Sequence, residues 1–216
     1  RVEEINQKNV LPDGLQIVPF YDRSELVNTA MKTVAKVLAE GIILVIAILF
    51  IFLGDVRSSL IVVATLVLTP LLTFLAMNRL GLSANLMSLG GLAIAIGLMV
   101  DGAVVVVENA FARLGEAAHQ GKSKLRTILD SSTEVGKPVL YGVGIIILVF
   151  LPLLSLQGME GKMFAPLALT IAIALTISLV LSFTLSPVLC SYVLKGGAEH
   201  DTWLLRKLKT PYLRML

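Results

Sequence analysis

Apolar and polar positions fall in long blocks along this chain, with no short repeating alternation. The first 33 residues are largely polar. Within them residues 15–21 (LQIVPFY) predict a short strand, and residues 22–25 (DRSE) predict a helix start with Ser24 as N-cap and Glu25 in the first turn. Five apolar blocks follow, at about 24–53, 60–77, 86–113, 138–156 and 167–194. Each is long enough, at about 1.5 Å per residue, to cross roughly 30 Å of hydrocarbon as a helix. The first carries Lys32, Lys36 and Glu40 on its early turns, so that end is expected to project from the bilayer. The turn 54–59, the link 78–85 and the segment 157–163 (QGMEGKM) separate the blocks. In the tail, 195–216, Trp203, Leu204, Leu205, Leu208, Tyr212 and Leu213 are interleaved with Arg206, Lys207, Lys209 and Arg214, which predicts an amphipathic helix on a membrane surface. The predicted fold class is therefore an all-α membrane protein with five transmembrane helices, a strand-like N-terminal remnant and an amphipathic C-terminal segment. The remnant, residues 1–23, is expected to be the end of an outer-side domain whose earlier part is lost.

Composition agrees with that pattern, at 56% hydrophobic, 15% charged and a mean hydropathy of +0.87. Soluble domains sit near roughly 45 to 50% apolar and about 25% charged. The single Cys190 excludes an internal disulfide framework, and no CxxC, HExxH or phosphate-cradling glycine loop occurs. No cofactor is expected. The net charge of +3 is small, and its basic residues lie in loops flanking the apolar blocks, so membrane topology accounts for them and nucleic acid does not. One set of loops and the tail hold Arg57, Arg113, Lys122, Lys124, Arg126, Lys137, Lys195 and the four basic tail residues, while the opposite short loops hold only Arg79 and Lys162. The richer set is expected to be cytoplasmic. Five crossings then put the amino terminus on the outer side.

The third block contains the decisive pair, Asp101 and Glu108, in GLMVDGAVVVVEN. Seven residues apart, they share one helix face two turns from each other, with Asp101 near mid-depth and Glu108 about 10 Å nearer the cytoplasm. An ionised carboxylate at such depth costs at least a few kcal/mol unless it meets protein, water or a counter-ion. Gly90, Ala93 and Gly97 continue the face outward as small residues that let a partner helix approach closely. None of the five blocks offers a Lys or Arg at mid-depth, so a cationic partner must come from helices outside this sequence. Two readings follow: a proton relay that loads from one side and empties to the other, or a fixed intramembrane salt bridge. Glu108 is close enough to the interface to snorkel there beside Arg113. An intramembrane aspartyl protease, the alternative from another class, needs two carboxylates sharing a proton at close range, which a separation of roughly 10 Å along one helix does not provide. No enzymatic activity is expected.

At these residues the chain resembles the resistance-nodulation-division exporters, and within them the heavy-metal efflux branch. The likeness rests on YDRSELV at 21–27, ANLMSLGGLAIAIGLMVDGAVVVVEN at 84–109, GMEGKMFAPLA at 158–168 and LSPVLC at 185–190. The resemblance implies the second to sixth membrane helices of a twelve-helix homotrimeric pump of the bacterial inner membrane, the amino end of this stretch being periplasmic. It also implies a lysine-bearing mate for the third helix here, metal cations and protons as substrates, and an adaptor and outer-membrane channel as partners. Drug-exporting relatives carry a second aspartate after the first, where this chain has Gly102, and divalent-metal members carry one where this chain has Ala95. The AIAIG run at 93–97 is similar to copper and silver exporters, and Met87 and Met99 offer soft thioethers suited to monovalent copper, although Met is also ordinary packing. The expected function is proton-driven efflux of heavy-metal cations, monovalent copper or silver before divalent ions, with a drug exporter or an inert helical fragment as alternatives. His119, His200 and Cys190 are expected to be surface or packing residues, Pro70 and Pro187 helix kinks, and Glu160 and Lys162 parts of an outer turn.

Overall fold

The structure is a computed structural model that describes residues 2–8, 12, 15–18, 23–118 and 123–194. Its elements are a short helix α1 (Val2–Gln7), then α2 (Arg23–Leu53), α3 (Val56–Arg79), α4 (Leu86–Ala118), α5 (Lys124–Phe150), a 3-10 turn (Leu151–Ser155) and α6 (Gly158–Val193). From α2 onward the helices are long and apolar enough to cross a membrane, five in all among the described residues, the fourth counted with its 3-10 turn. The chain is an all-α, multi-pass membrane chain.

α3 runs longer than its apolar block because its polar ends are capped. α3 begins at Val56, not at residue 60, since Asp55 accepts hydrogen bonds from the Ser58 amide at 3.0 Å and its hydroxyl at 2.9 Å. The expected turn 54–59 shrinks to Gly54 and Asp55, Gly54 taking a positive φ of 64°. α3 closes on Gly81 at φ 68°, where the Leu82 amide donates to the Met77 carbonyl at 2.9 Å, the long bond of a Schellman motif. Asn85 and Ser88 then cap α4 reciprocally: the Ser88 amide donates to Asn85 Oδ1 at 2.9 Å and the Asn85 amide to Ser88 Oγ at 2.8 Å.

Two expected boundaries move further. α5 starts at Lys124, well ahead of residue 138, and runs through Pro138; most of the expected 113–137 loop is helix. Thr127, Ile128, Ser131 and Ser132 lie on one side of that extension and are buried, so tertiary packing holds a segment whose basic exposed side resembled a loop. Likewise α6 starts at Gly158, so the expected outer segment 157–163 is mostly its first turns, and Glu160 and Lys162 are helical. A Cβ on Gly161 would collide with the Leu156 carbonyl, which is why this tight entry needs glycine. Ser24 is the second residue of α2 and not its cap, because the helix already includes Arg23. Residues 15–18 form no strand; Ile17 instead exchanges two bonds with the Asn6 side-chain amide, at 2.8 and 2.9 Å, in place of a neighbouring strand. The tail 195–216, His119 and His200 lie outside the described residues.

α4 and α6 pack most extensively on each other, and both also pack on α3 and α5, so together they form the centre of the bundle. One cluster joins Leu66 of α3, Leu92, Ala95, Ile96 and Met99 of α4, and Ile171, Ala174 and Leu175 of α6. Another, toward the far ends, joins Leu49, Ile61, Val62, Val107, Ala110, Ile128 and Cys190. Gly91 allows the closest approach: a Cβ there would stand 2.7 Å from the Leu167 carbonyl of α6. Several hydroxyls inside these apolar helices are satisfied locally, as when Thr65, Thr69 and Thr73 donate to Val62, Thr65 and Thr69 carbonyls at 2.7 to 2.8 Å.

Candidate functional site

α4 has two unlike sides. Leu92, Ala95, Met99, Ala103, Val106 and Ala110 face inward and are buried. On the other side Ala93, Gly97, Asp101 and Glu108 are exposed and Gly90 is half-buried. A Cβ added at Gly90 or Gly97 would meet nothing within 4 Å. The small-residue face named from sequence is thus distinct from the face this bundle uses for packing. The packing face depends on Gly91, which does not share the face of Asp101. Its adjacency to Gly90 in a GG pair, one position round the helix, was the available signal.

Asp101 stands near the middle of α4, and helical rise puts Glu108 about 10 Å further along. Among the described residues neither forms an ion pair. Arg113, the expected snorkelling partner of Glu108, is engaged elsewhere: it grips Glu134 of α5 with two bonds, Nε to Oε2 at 3.1 Å and Nη2 to Oε1 at 2.6 Å, and holds Glu116 at 3.2 Å. Asn109 reinforces the clasp by donating to the Ser131 carbonyl of α5 at 2.8 Å. These groups are largely exposed, so the clasp fixes the rotation of α4 against α5 more than it adds stability. It leaves Glu108 on the open side, in line with Asp101.

The remaining candidates separate. Met99 is buried between α3 and α6, at a small cleft lined by Val62, Thr65, Leu66, Thr69, Val100, Ala103 and Ser178, in which it supplies the only sulfur. Met87 is half-buried and twelve residues earlier, about 18 Å away by helical rise, so the two thioethers do not meet. Ala95 is fully buried against apolar neighbours. Gly102 is tightly covered: a Cβ there would lie 3.3 Å from Val139 Cγ1 and 3.8 Å from Ser182 Oγ. No group of three or more His, Cys, Asp or Glu that could hold a metal occurs among the described residues. Cys190 is buried in the inter-helix core, as expected of a packing residue. α3 and α6 continue through Pro70 and Pro187 without a break.

Sequence comparison extends these observations to known proteins. The family model described as "AcrB/AcrD/AcrF family" matches residues 1–215. The nickel-cobalt-cadmium resistance protein NccA of Alcaligenes xylosoxydans xylosoxydans is 44% identical over the whole chain, which covers 20% of that protein. Protein HelA of Legionella pneumophila is 41% identical, again over the whole chain and 21% of its own length. The cation efflux system protein CusA of Escherichia coli K12 is 40% identical over 88% of the chain and 19% of its own. A crystal structure of a heavy metal efflux pump superposes with a TM-score of 0.73 at 36% identity, covering 97% of this chain and 19% of that one. The chain spans about a fifth of the length of these relatives.

Proposed function

The chain belongs to the AcrB/AcrD/AcrF family of resistance-nodulation-division exporters, in its heavy-metal efflux branch, and on that premise we propose that it forms the proton-relay half of a pump expelling heavy-metal cations across the bacterial inner membrane. It acts in transport and catalyses no bond change. One observation carries the reading: Asp101, a carboxylate midway along a membrane-length helix, lies on an open strip of small residues with no ion-pair partner among the described residues. In hydrocarbon such a group demands a partner. A helix bearing a lysine fits the strip, because Gly97 and Ala93 let its backbone come close. When the carboxyl is protonated the cation loses its partner and the helices shift; when it ionises they draw together. That alternation couples proton entry to metal exit. Glu108, on the same side nearer the cytoplasm, hands the proton on.

The complete pump works as a homotrimer with an adaptor and an outer-membrane channel, and residues 1–23 end a periplasmic domain. The cargo is monovalent copper or silver before divalent ions. Supporting this, Ala95 sits in an apolar cluster where a divalent-metal exporter has a carboxylate, and among the described residues no group of three or more His, Cys, Asp or Glu gathers to hold a metal. Overall identity does not separate the two classes, being 44% to a nickel-cobalt-cadmium protein and 40% to CusA.

A strain lacking the gene, complemented with wild type or with Asp101→Asn in the complete gene product, tests the proposal on silver, copper, zinc and dyes. Asparagine keeps the size and hydrogen bonding but cannot cycle a proton. The expected outcome is normal expression with loss of silver and copper resistance. Resistance retained by Asp101→Asn removes the relay, protection against zinc alone removes the monovalent preference, and protection against dyes alone removes the metal cargo.

A further inference from the structure

α5 is built from two unlike halves. Its buried residues, Thr127, Ile128, Ser131 and Ser132, all belong to the first half, and none beyond Ser132 is buried. That first half is clamped on two sides. Arg113 and Asn109 of α4 hold the Glu134 carboxylate at 2.6 Å and the Ser131 carbonyl at 2.8 Å, and Lys124 donates to the Ser191 carbonyl of α6 at 2.5 Å. The second half rests on the bundle through half-buried Val143, Ile146, Ile147 and Phe150, and the turn that follows it, Leu151–Ser155, is largely exposed. Between the clamp and these contacts runs the stretch EVGKPVLYGVG, residues 134–144.

Glycine and proline are the two poorest helix formers, and this stretch places four of them within nine residues of one continuous helix. A glycine is needed inside a helix where a neighbour leaves no room for a Cβ, as at Gly91. That reason is missing in α5. A Cβ on Gly142 or Gly144 would meet nothing within 4 Å, and one on Gly136 would make ordinary contact with Phe183 Cε1 at 3.7 Å. Pro138 is exposed, and because it has no N–H the Glu134 carbonyl lacks its helical donor. Helices bend at such positions. We propose that Gly136–Pro138 is a hinge, about which the second half of α5 swings on the bundle during the transport cycle while the clamped first half stays with α4 and α6. The inference rests on the reading of the chain as part of a cycling pump. Hinges are a few residues that absorb a change of φ and ψ next to a fixed part, and the clasp and the Lys124 bond supply that fixed part. Val139, the first residue past the proline, covers Gly102 of α4, its Cγ1 lying 3.3 Å from where a Cβ would stand, so the swing lifts this cover.

Stiffening a hinge and damaging its packing have separable effects. Gly136→Ala and Pro138→Ala restore helix propensity, and the second also restores the missing amide donor, whereas Pro138→Gly removes the ring and keeps the freedom. The test reconstitutes the complete gene product in vesicles and follows lumenal pH by dye on adding silver(I) or zinc(II) separately. In a cysteine-free background, nitroxide labels on Leu129→Cys and Leu148→Cys, both exposed positions, report the bend of α5 by pulsed electron resonance, with labelled chain diluted into unlabelled. On a straight helix the two positions stand about 28 Å apart along the axis. The expected result for the double variant Gly136→Ala/Pro138→Ala is a metal-coupled proton flux about tenfold slower than wild type, a label distance narrowed to the straight-helix value, and an equal or higher melting temperature. Pro138→Gly is expected to keep both the flux and the broad distances of wild type. Wild-type flux in the double variant, or distances already as narrow in wild type, overturns the hinge and leaves the pump reading standing. A double variant that is slow and melts lower, with Pro138→Gly equally slow, assigns these residues to packing and overturns the hinge. Absence of metal-driven flux in wild type overturns the pump reading, and the hinge with it.

Discussion

Neighbouring residues of α4 carry opposite duties. Gly90 and Gly91 are identical in chemistry, yet a Cβ on Gly91 would press on the Leu167 carbonyl at 2.7 Å while one on Gly90 would touch nothing. Backbone cannot yield as a side chain tip can, so Gly91→Ala forces α4 away from α6 and opens the cluster of Leu92, Ala95 and Leu175. Overpacking of this kind costs about 1 to 3 kcal/mol. In thermal unfolding in detergent, Gly91→Ala is expected to melt several degrees below wild type and Gly90→Ala to match it; equal melting of the two would refute the close approach. Asp101 and Glu108 were legible in the sequence because charge within an apolar block stands out without any structure. Gly91 was not, since its importance lies in which atoms of another helix face it.

Among the elements, α4 is where pattern and packing diverge. Its composition is apolar nearly all round, so periodicity alone does not distinguish a side covered by α3 and α6 from one left open. The open side makes a distinguishing prediction. Gly97→Leu has room in this five-helix unit and is expected to leave its helix content and melting unchanged, yet to abolish metal resistance in the complete gene product by blocking the incoming helix. Circular dichroism of the one and growth on silver with the other check it, and full resistance would mean that no helix uses this side. α5 shows the reverse misreading. Lys124, Arg126 and Lys137 made its first half look like a loop, whereas Ile128 and Ser132 anchor a helix there and the Arg113–Glu134 clasp ties it to α4. The signal present in the sequence was the four-residue spacing of Ile128 and Ser132.

At the scale of the whole chain, the asymmetry of lysine and arginine predicts an orientation independently of any one contact. The structure adds usable reporters: Ser123 immediately precedes α5, Gln157 precedes α6, and both are exposed. Cysteines placed at these two positions in a Cys190→Ala background are expected to react with an impermeant maleimide from opposite sides of the membrane, Ser123 from the cytoplasm. Labelling of both from one side would invert or break the topology. The buried thiol of Cys190 makes the alanine background a small change in the core.

By itself the sequence pointed to a membrane chain, to five membrane-length apolar helices, and to a carboxylate midway along one of them. Those properties depend on local composition measured against the fixed thickness of a bilayer. Tertiary structure alone decided where the helices end, which side of α4 is packed and which is open, and that Ser182 and Ser186 of α6 lie buried with no hydrogen-bond partner among the described residues. Helix ends follow from caps and from burial of one side, and the meaning of a glycine or a serine follows from its neighbour across the interface; both are contacts between residues far apart in the chain, on which local apolarity is silent.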